Sequence, residues 1–212
     1  VERFGGSGAW QAGEPDADGA FDVHHAGVVQ GRVQWNLLGA HNRQNALAAI
    51  AAARHAGVPV ALAIEALGRF ENVKRRMEVR GTQRGVTVYD DFAHHPTAIA
   101  TTVAGLRRRI GAARILAVIE PRSNTMKLGV MKQALPGSLQ EADHVYCYSG
   151  GLNWNAAEAL APLGARAEVH ADLEALIKAI ASAAKSGDQV LVMSNGGFGG
   201  VHRKLLDSLQ QK

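Results

Sequence analysis

Gly85-Val86-Thr87-Val88-Tyr89-Asp90-Asp91-Phe92-Ala93-His94-His95-Pro96-Thr97-Ala98-Ile99 is the stretch that sets the fold. A short apolar strand pattern runs into two carboxylates, two imidazoles and a proline. Pro96 suits the first turn of a helix, where its missing N–H would have had no partner anyway. The apolar-periodic run after it predicts that helix. Ionisable groups gathered where a strand hands over to a helix sit where α/β proteins bind their ligands.

Working downstream, strands are expected at Met77–Arg80, Val86–Asp90, Arg114–Ile119, His144–Tyr148, Ala167–His170 and Gln189–Ser194. Helices are expected at Pro96–Ile110, Lys127–Glu141, Asn155–Leu163, Leu173–Lys185 and Val201–Gln210. Alternating strands and helices predict an α/β fold, a Rossmann-like domain whose mostly parallel six-stranded sheet is flanked by helices. The nearly continuous apolar runs at 115–119 and 190–193 fit strands covered on both faces. Right-handed crossovers then bring Asp90-Asp91, Glu120-Pro121-Arg122, Ser149-Gly150-Gly151 and Ser194-Asn195-Gly196-Gly197 to one sheet edge, where they should form one cleft.

Upstream, Phe21–His25 and Gly31–Trp35 predict a hairpin about Ala26-Gly27. A helix from about Gln44 to His55 ends at Gly57, and Pro59 opens a second with Ala63, Leu67 and Phe70 on one face. The polar run from Glu71 to Arg76 breaks the pattern and predicts a boundary between domains 1–72 and 73–212.

Composition limits the possibilities. The 212 residues are 47% hydrophobic, which supports a sizeable core. A net charge of +4 with 5% aromatics, and no dense basic block, gives nucleic acid little to bind. The mild basic excess suits an anionic small molecule, and solubility explains it equally well. No apolar run approaches the ~18 residues of a membrane span. The single Cys147, in an apolar strand pattern, reads as a packing residue in a reducing compartment. The N-terminus is not a signal peptide and has no initiator Met, so the chain reads as entered in mid-domain.

Four segments carry candidate chemistry, each beside a plainer alternative. Asp90 to Pro96 holds more ionisable groups than a helix cap needs, although capping remains an option. Asn42 and Asn45, in Gly39-Ala40-His41-Asn42-Arg43-Gln44-Asn45-Ala46, share a helix face and together could read an adenine edge; Asn42 could equally be an N-cap. In Glu120-Pro121-Arg122-Ser123-Asn124-Thr125-Met126-Lys127-Leu128-Gly129, Arg122 could clamp a carboxylate or phosphate, or the loop could simply cap the next helix. The glycine-rich Ser194–Gly200 loop precedes a helix, as anion-binding loops do, but it follows the last strand and fits a dinucleotide fingerprint only loosely. There is no phosphate loop of the G-x-x-x-x-G-K-[ST] type, no H-E-x-x-H and no paired C-x-x-C.

These motifs, in this order, resemble the Mur ligase family, which joins amino acids or peptides to UDP-N-acetylmuramate in bacterial cell-wall synthesis. The resemblance rests on G-x-H-N-x-x-N-A-x-A-A at Gly39–Ala49, Lys74-Arg75-Arg76-Met77-Glu78, and D-D-F-A-H-H-P-T at Asp90–Thr97. It implies that residues 1–72 are the end of a central ATP-binding domain and that 73–212 form the C-terminal domain. The Glu120–Gly129 and Ser194–Gly200 loops look most like the branch that attaches the tripeptide L-alanyl-γ-D-glutamyl-meso-diaminopimelate in peptide recycling. A sister branch that adds L-alanine is similar at D-D-aromatic-small-H-H-P but has His-Arg-Tyr-Thr-Arg in the loop holding Arg122.

The resemblance implies a role for each matching residue. Asn42 and Asn45 would contact the adenine side of ATP, Arg76 would reach the phosphates and Asp91 would hold the ribose hydroxyls. His94 would line the reaction centre. Arg122, Ser123 and Asn124 would receive the peptide, with Asn195 and Gly196 closing the far side of its pocket. The implied reaction proceeds through an acyl phosphate with ATP and Mg²⁺, in the cytoplasm. The phosphate loop and Mg²⁺ ligands of the family have no counterpart in these residues, so no metal ligand is expected and the chain alone should be inactive. A nucleotide-binding module without catalysis is the alternative from another class.

Overall fold

The computed structural model describes residues 3–4, 8–35, 37, 39–71 and 73–211. They fall into two compact units, Val1–Val73 and Lys74–Lys212.

In the first unit, β1 (Trp10–Ala12), β2 (Phe21–His25) and β3 (Val28–Val33) form an antiparallel sheet. The third strand begins three residues earlier than the sequence suggested. Ala26 and Gly27 both have positive φ, 49° and 80°, so a two-residue turn pairs His25 directly with Val28. β1 had no counterpart in the sequence reading. The helices are α1 (Ala40–His55) and α2 (Val60–Gly68). They cover a core of Trp10, Phe21, Val33, Leu47, Ile50 and Ile64. Phe70, expected on the buried face of the second helix, lies beyond its end and is 48% exposed; Ile64 fills the core instead.

In the second unit, β4 (Glu78–Gln83) pairs antiparallel with β5 (Val86–Asp91), then α3 (Pro96–Ile110) and β6 (Ile115–Ile119) follow. Two short helices, α4 (Asn124–Lys127) and α5 (Leu135–Ser138), stand where one helix over Lys127–Glu141 was expected. Gly129, at φ 72°, ends the first, and Pro136 can only sit in the opening turn of the second. β7 (His144–Tyr148), α6 (Ala156–Leu160), β8 (Ala167–His170), α7 (Leu173–Ala183), β9 (Gln189–Met193) and α8 (Val201–Gln211) complete the unit.

The sheet order is β4-β5-β9-β6-β7-β8, with β4 as the antiparallel edge and every other pair parallel. Helices cover both faces. Tyr89, Ile115, Ala117, Ile119 and Leu191 pack with α3 residues Ile99, Val103 and Leu106. Val86, Val88, Leu116, Val118 and Val192 pack with Ile177 and Ile180 of α7 and Val201 and Leu205 of α8. Because side chains alternate along a strand, Asp90 follows Val86 and Val88 to the α8 face, while Asp91 follows Tyr89 to the α3 face. Two carboxylates adjacent in sequence are thereby sent to opposite sides of the sheet. β4 carries a bulge at Arg80, since Val79 pairs with Tyr89 and Gly81 with Val88.

Candidate active site at the strand ends

Because β5, β9, β6 and β7 are parallel neighbours, their C-terminal ends lie side by side, as the four expected loops require. Three of the loops are bonded to one another, while the Ser149 N–H donates instead to the His170 carbonyl of β8. The Ser194 N–H donates to the Asp91 carbonyl at 3.1 Å, and the Glu120 N–H to the Met193 carbonyl at 3.2 Å. The Ser194 hydroxyl donates to the Glu120 carboxylate and accepts the Gly196 N–H.

Asp91 is 2% exposed and fixes the turn after β5. Oδ1 accepts the Ala93 N–H at 2.8 Å and the Thr102 hydroxyl at 3.4 Å, while Oδ2 accepts the Met77 N–H at 2.9 Å. Burial pushes this carboxyl above its ordinary range, against the pull of those donors and of Arg76. His94 is half-buried, and its Nδ1 lies 2.8 Å from the Phe92 carbonyl. A carbonyl only accepts, so Nδ1 carries the proton and Nε2 is left as the ring's second site. The Phe92 ring lies under two cations, Arg75 at 5.2 Å and Arg76 at 5.8 Å, with His94 edge-on.

Arg122 and Gly196 are brought together: a Cβ on Gly196 would lie 2.9 Å from Arg122 Cζ, so the exposed guanidinium rests on this glycine. Ser123 accepts the Met126 N–H and caps α4, and Asn124 is the exposed first residue of that helix. The plainer expectation for that loop thus holds for Ser123. Asn195 Oδ1 is buried and accepts no hydrogen bond among the described residues, an open acceptor at the rim of the loops.

Asn42 and Asn45 belong to the first unit. They lie in the opening turns of α1, Asn42 half-buried and Asn45 exposed, on a shared face. The N-cap position is Gly39, so Asn42 does not cap the helix.

Arg75 and His202 were given no role from sequence. Arg75 donates from Nη2 to the carbonyls of Ser194 (2.6 Å) and Gly196 (2.8 Å), and its Nε lies 3.3 Å from Asp90 Oδ1. It does so from φ 61°, and Met77 nearby has φ 50°. Non-glycine residues rarely hold such angles, and those that do cluster at ligand sites. His202, from α8, brings Nε2 within 3.3 Å of Asp90 Oδ1. Burial would raise the Asp90 carboxyl, but His202 and Arg75 outweigh it and hold the group below its usual range. The local signal for Arg75 was the basic pair Arg75-Arg76; for His202 there was only the Gly-Gly-Val-His ending of the last loop. Cys147 is fully buried, its thiol pushed up to about 12, and it takes no part in the site.

The sequence profile described as "Mur ligase, glutamate ligase domain" matches residues 75–196, more than half the chain, and ends inside the Ser194–Gly200 loop. The chain belongs to the Mur ligase family. A UDP-N-acetylmuramate–L-alanyl-γ-D-glutamyl-meso-2,6-diaminoheptandioate ligase of Escherichia coli (strain K12) is 50% identical to it over 214 residues, covering 100% of this chain and 47% of that protein. A UDP-N-acetylmuramate–L-alanine ligase of Synechococcus elongatus is 33% identical, covering 87% of this chain and 42% of that protein. The crystal structure of a murein peptide ligase from Psychrobacter arcticus 273-4 superposes with a TM-score of 0.74 at 42% identity, covering 97% of this chain and 45% of that one. The chain thus spans about half the length of the curated Mur ligases it matches.

Proposed function

We propose that these residues are the C-terminal part of an ATP-dependent ligase that joins the tripeptide L-alanyl-γ-D-glutamyl-meso-diaminopimelate to UDP-N-acetylmuramate. In that reading the first unit is the end of the ATP-binding domain. The observation that carries it is the Arg122–Gly196 contact, a cation seated on a side-chain-free loop at the common strand edge. The peptide supplies carboxylates for a guanidinium fork there. The tripeptide is favoured over L-alanine alone by the 50% identity to the tripeptide ligase against 33% to the alanine ligase.

ATP supplies the phosphoryl group that makes the muramyl carboxylate reactive. The chain's own residues bind and orient. The Asn42 and Asn45 carboxamides, sharing a face of α1, fit an adenine edge. Arg76 fits a phosphate. Asp91 meets the ribose by exchange, its Oδ2 giving up the Met77 N–H of the strained segment for a ribose hydroxyl. His94, with its proton fixed on Nδ1, presents Nε2 at the reaction centre. Arg122, Ser123, Asn124, Asn195 and Gly196 receive the peptide. Among the described residues no group of three or more His, Cys, Asp or Glu is placed to hold a metal ion.

The test is phosphate release by the complete ligase with tripeptide or L-alanine as acceptor. Release that needs both UDP-N-acetylmuramate and tripeptide is expected, and release with L-alanine alone would overturn the assignment. The 212 residues by themselves are expected to show no release.

A further inference from the structure

A cavity of about 260 Å³ lies in the second unit, on the α8 face of the sheet, lined by Arg75, Arg80, Asp90, Gly196, Gly197, Gly200, His202 and Arg203, and it shares Gly196 with the Arg122 contact. Three guanidinium groups face the Asp90 carboxylate, and Glu78 Oε1 pairs with Arg80 Nη1 at 3.4 Å, so the charges gathered there still sum to a net positive. The carboxylate is already engaged: Asp90 Oδ1 lies 3.3 Å from Arg75 Nε, and Oδ2 lies 3.7 Å from Arg80 Nη1. Arg80 is the extra residue of the β4 bulge, the device by which a strand re-aims one side chain.

Two side chains keep hydrogen-bonding capacity that the fold leaves unused. His202 is 9% exposed, yet its Nε2, although 3.3 Å from Asp90, is not aligned for a hydrogen bond and has no such partner among the described residues. A buried ring nitrogen aimed into a polar cavity without a partner carries a desolvation cost that a ligand would remove. Arg203 is exposed and makes no ion pair among the described residues, so its fork is available. The opposite wall is glycine: a Cβ at Gly197 or Gly200 would meet nothing within 4 Å.

We propose that this cavity is an oxyanion site, distinct from the Arg122 loop, that takes a phosphate or carboxylate group between Arg80, His202 and Arg203. Planar guanidinium forks converging on a small cavity beside an imidazole that can be protonated suit oxygen anions bound bidentately. Halide, with no fork to match, should not compete at equal ionic strength. The inference does not depend on the ligation reaction.

The experiment is an NMR titration of the 212-residue chain with inorganic phosphate at constant ionic strength, chloride serving as the control. Saturable shifts are expected at the Gly197, Gly200 and Arg203 amides and the His202 ring. Arg203→Ala, at an exposed position, should fold normally and bind phosphate at least tenfold more weakly, as should Arg80→Ala. Adding the tripeptide identifies the source of the oxyanion: displacement of phosphate assigns the site to a peptide carboxylate, and retention assigns it to a phosphoryl group. Shifts confined to Arg122, equal responses to chloride, or unchanged affinity in Arg203→Ala would each overturn the proposal. Phosphate binding with no ligation by the complete enzyme would reject the proposed function and leave the site standing.

Discussion

Arg75 Nη2 donates to the Ser194 carbonyl at 2.6 Å, joining two segments 119 positions apart in sequence. The same guanidinium reaches the Gly196 carbonyl and Asp90, so one side chain locks the 74–77 segment onto two strand ends. Arg75→Ala would leave two carbonyls and a buried carboxylate short of a donor. We expect a loss of about 3 kcal/mol in urea unfolding. Arg75→Lys should recover only part, because a point charge cannot bridge all three acceptors.

Gly196→Ala should separate stability from recognition. The new Cβ would collide with the Arg122 side chain, which is exposed and free to swing aside. Stability should change by about 0.5 kcal/mol. In the complete ligase the KM for the peptide should rise about tenfold, the loss of one charged hydrogen bond, with the KM for ATP unchanged.

Asp91→Asn keeps the shape of the turn but replaces one acceptor oxygen with an amide. Stability should fall by about 1–3 kcal/mol, and the KM for ATP should rise in the complete ligase. Thr102→Val removes only the 3.4 Å contact to Asp91 and should leave the ATP KM unchanged. Steady-state kinetics on the two variants distinguishes a role at the nucleotide from one in the turn alone.

Asp90 and Asp91 should respond to acid in opposite senses. The Asp90 carboxyl is held below its ordinary 3.8, so its stabilising contribution is present above that value and lost as pH falls through the folded-state pKa. The Asp91 carboxyl lies above 3.8, so its contribution is present below that value and lost as pH rises through the folded-state pKa. In urea melts at decreasing pH, the stability gap between the parent and Asp90→Asn should narrow below 3.8. For Asp91→Asn the gap should widen in the same direction.

Cys147 should stay unreactive toward iodoacetamide in the folded chain and react quickly in urea, since burial raises the thiol to about 12. Cys147→Ser would place a hydroxyl in that apolar setting at a cost of about 1–3 kcal/mol.

Strand and helix order in the second unit was legible because the apolar runs at 115–119 and 190–193 leave little else to choose, and Pro96 marks a helix start. The strand-end loops were legible for the same reason, since parallel strands bring their C-terminal ends to one edge. Helix continuity past Lys127 was not, because Gly129 and Pro136 act through backbone angles that an apolar pattern ignores. The start of β3 depended on a tight turn at Ala26-Gly27, where a non-glycine residue adopts positive φ. Arg75 and His202 escaped notice because their partners, Ser194, Gly196 and Asp90, are distant in sequence or assigned elsewhere.

The bulge in β4 gives the edge of the sheet a tolerance its centre lacks. Deleting Arg80 would let Val79 and Gly81 continue one regular ladder against Tyr89 and Val88, with every other side chain keeping its face. The same deletion in β5 would exchange the sides of residues on one flank of the cut and move one buried carboxylate across the sheet. Length changes are therefore expected to accumulate in β4 and to be purged from β5, so the charge of the cavity on the α8 face can drift between relatives while the Asp90-Asp91 doublet keeps its frame.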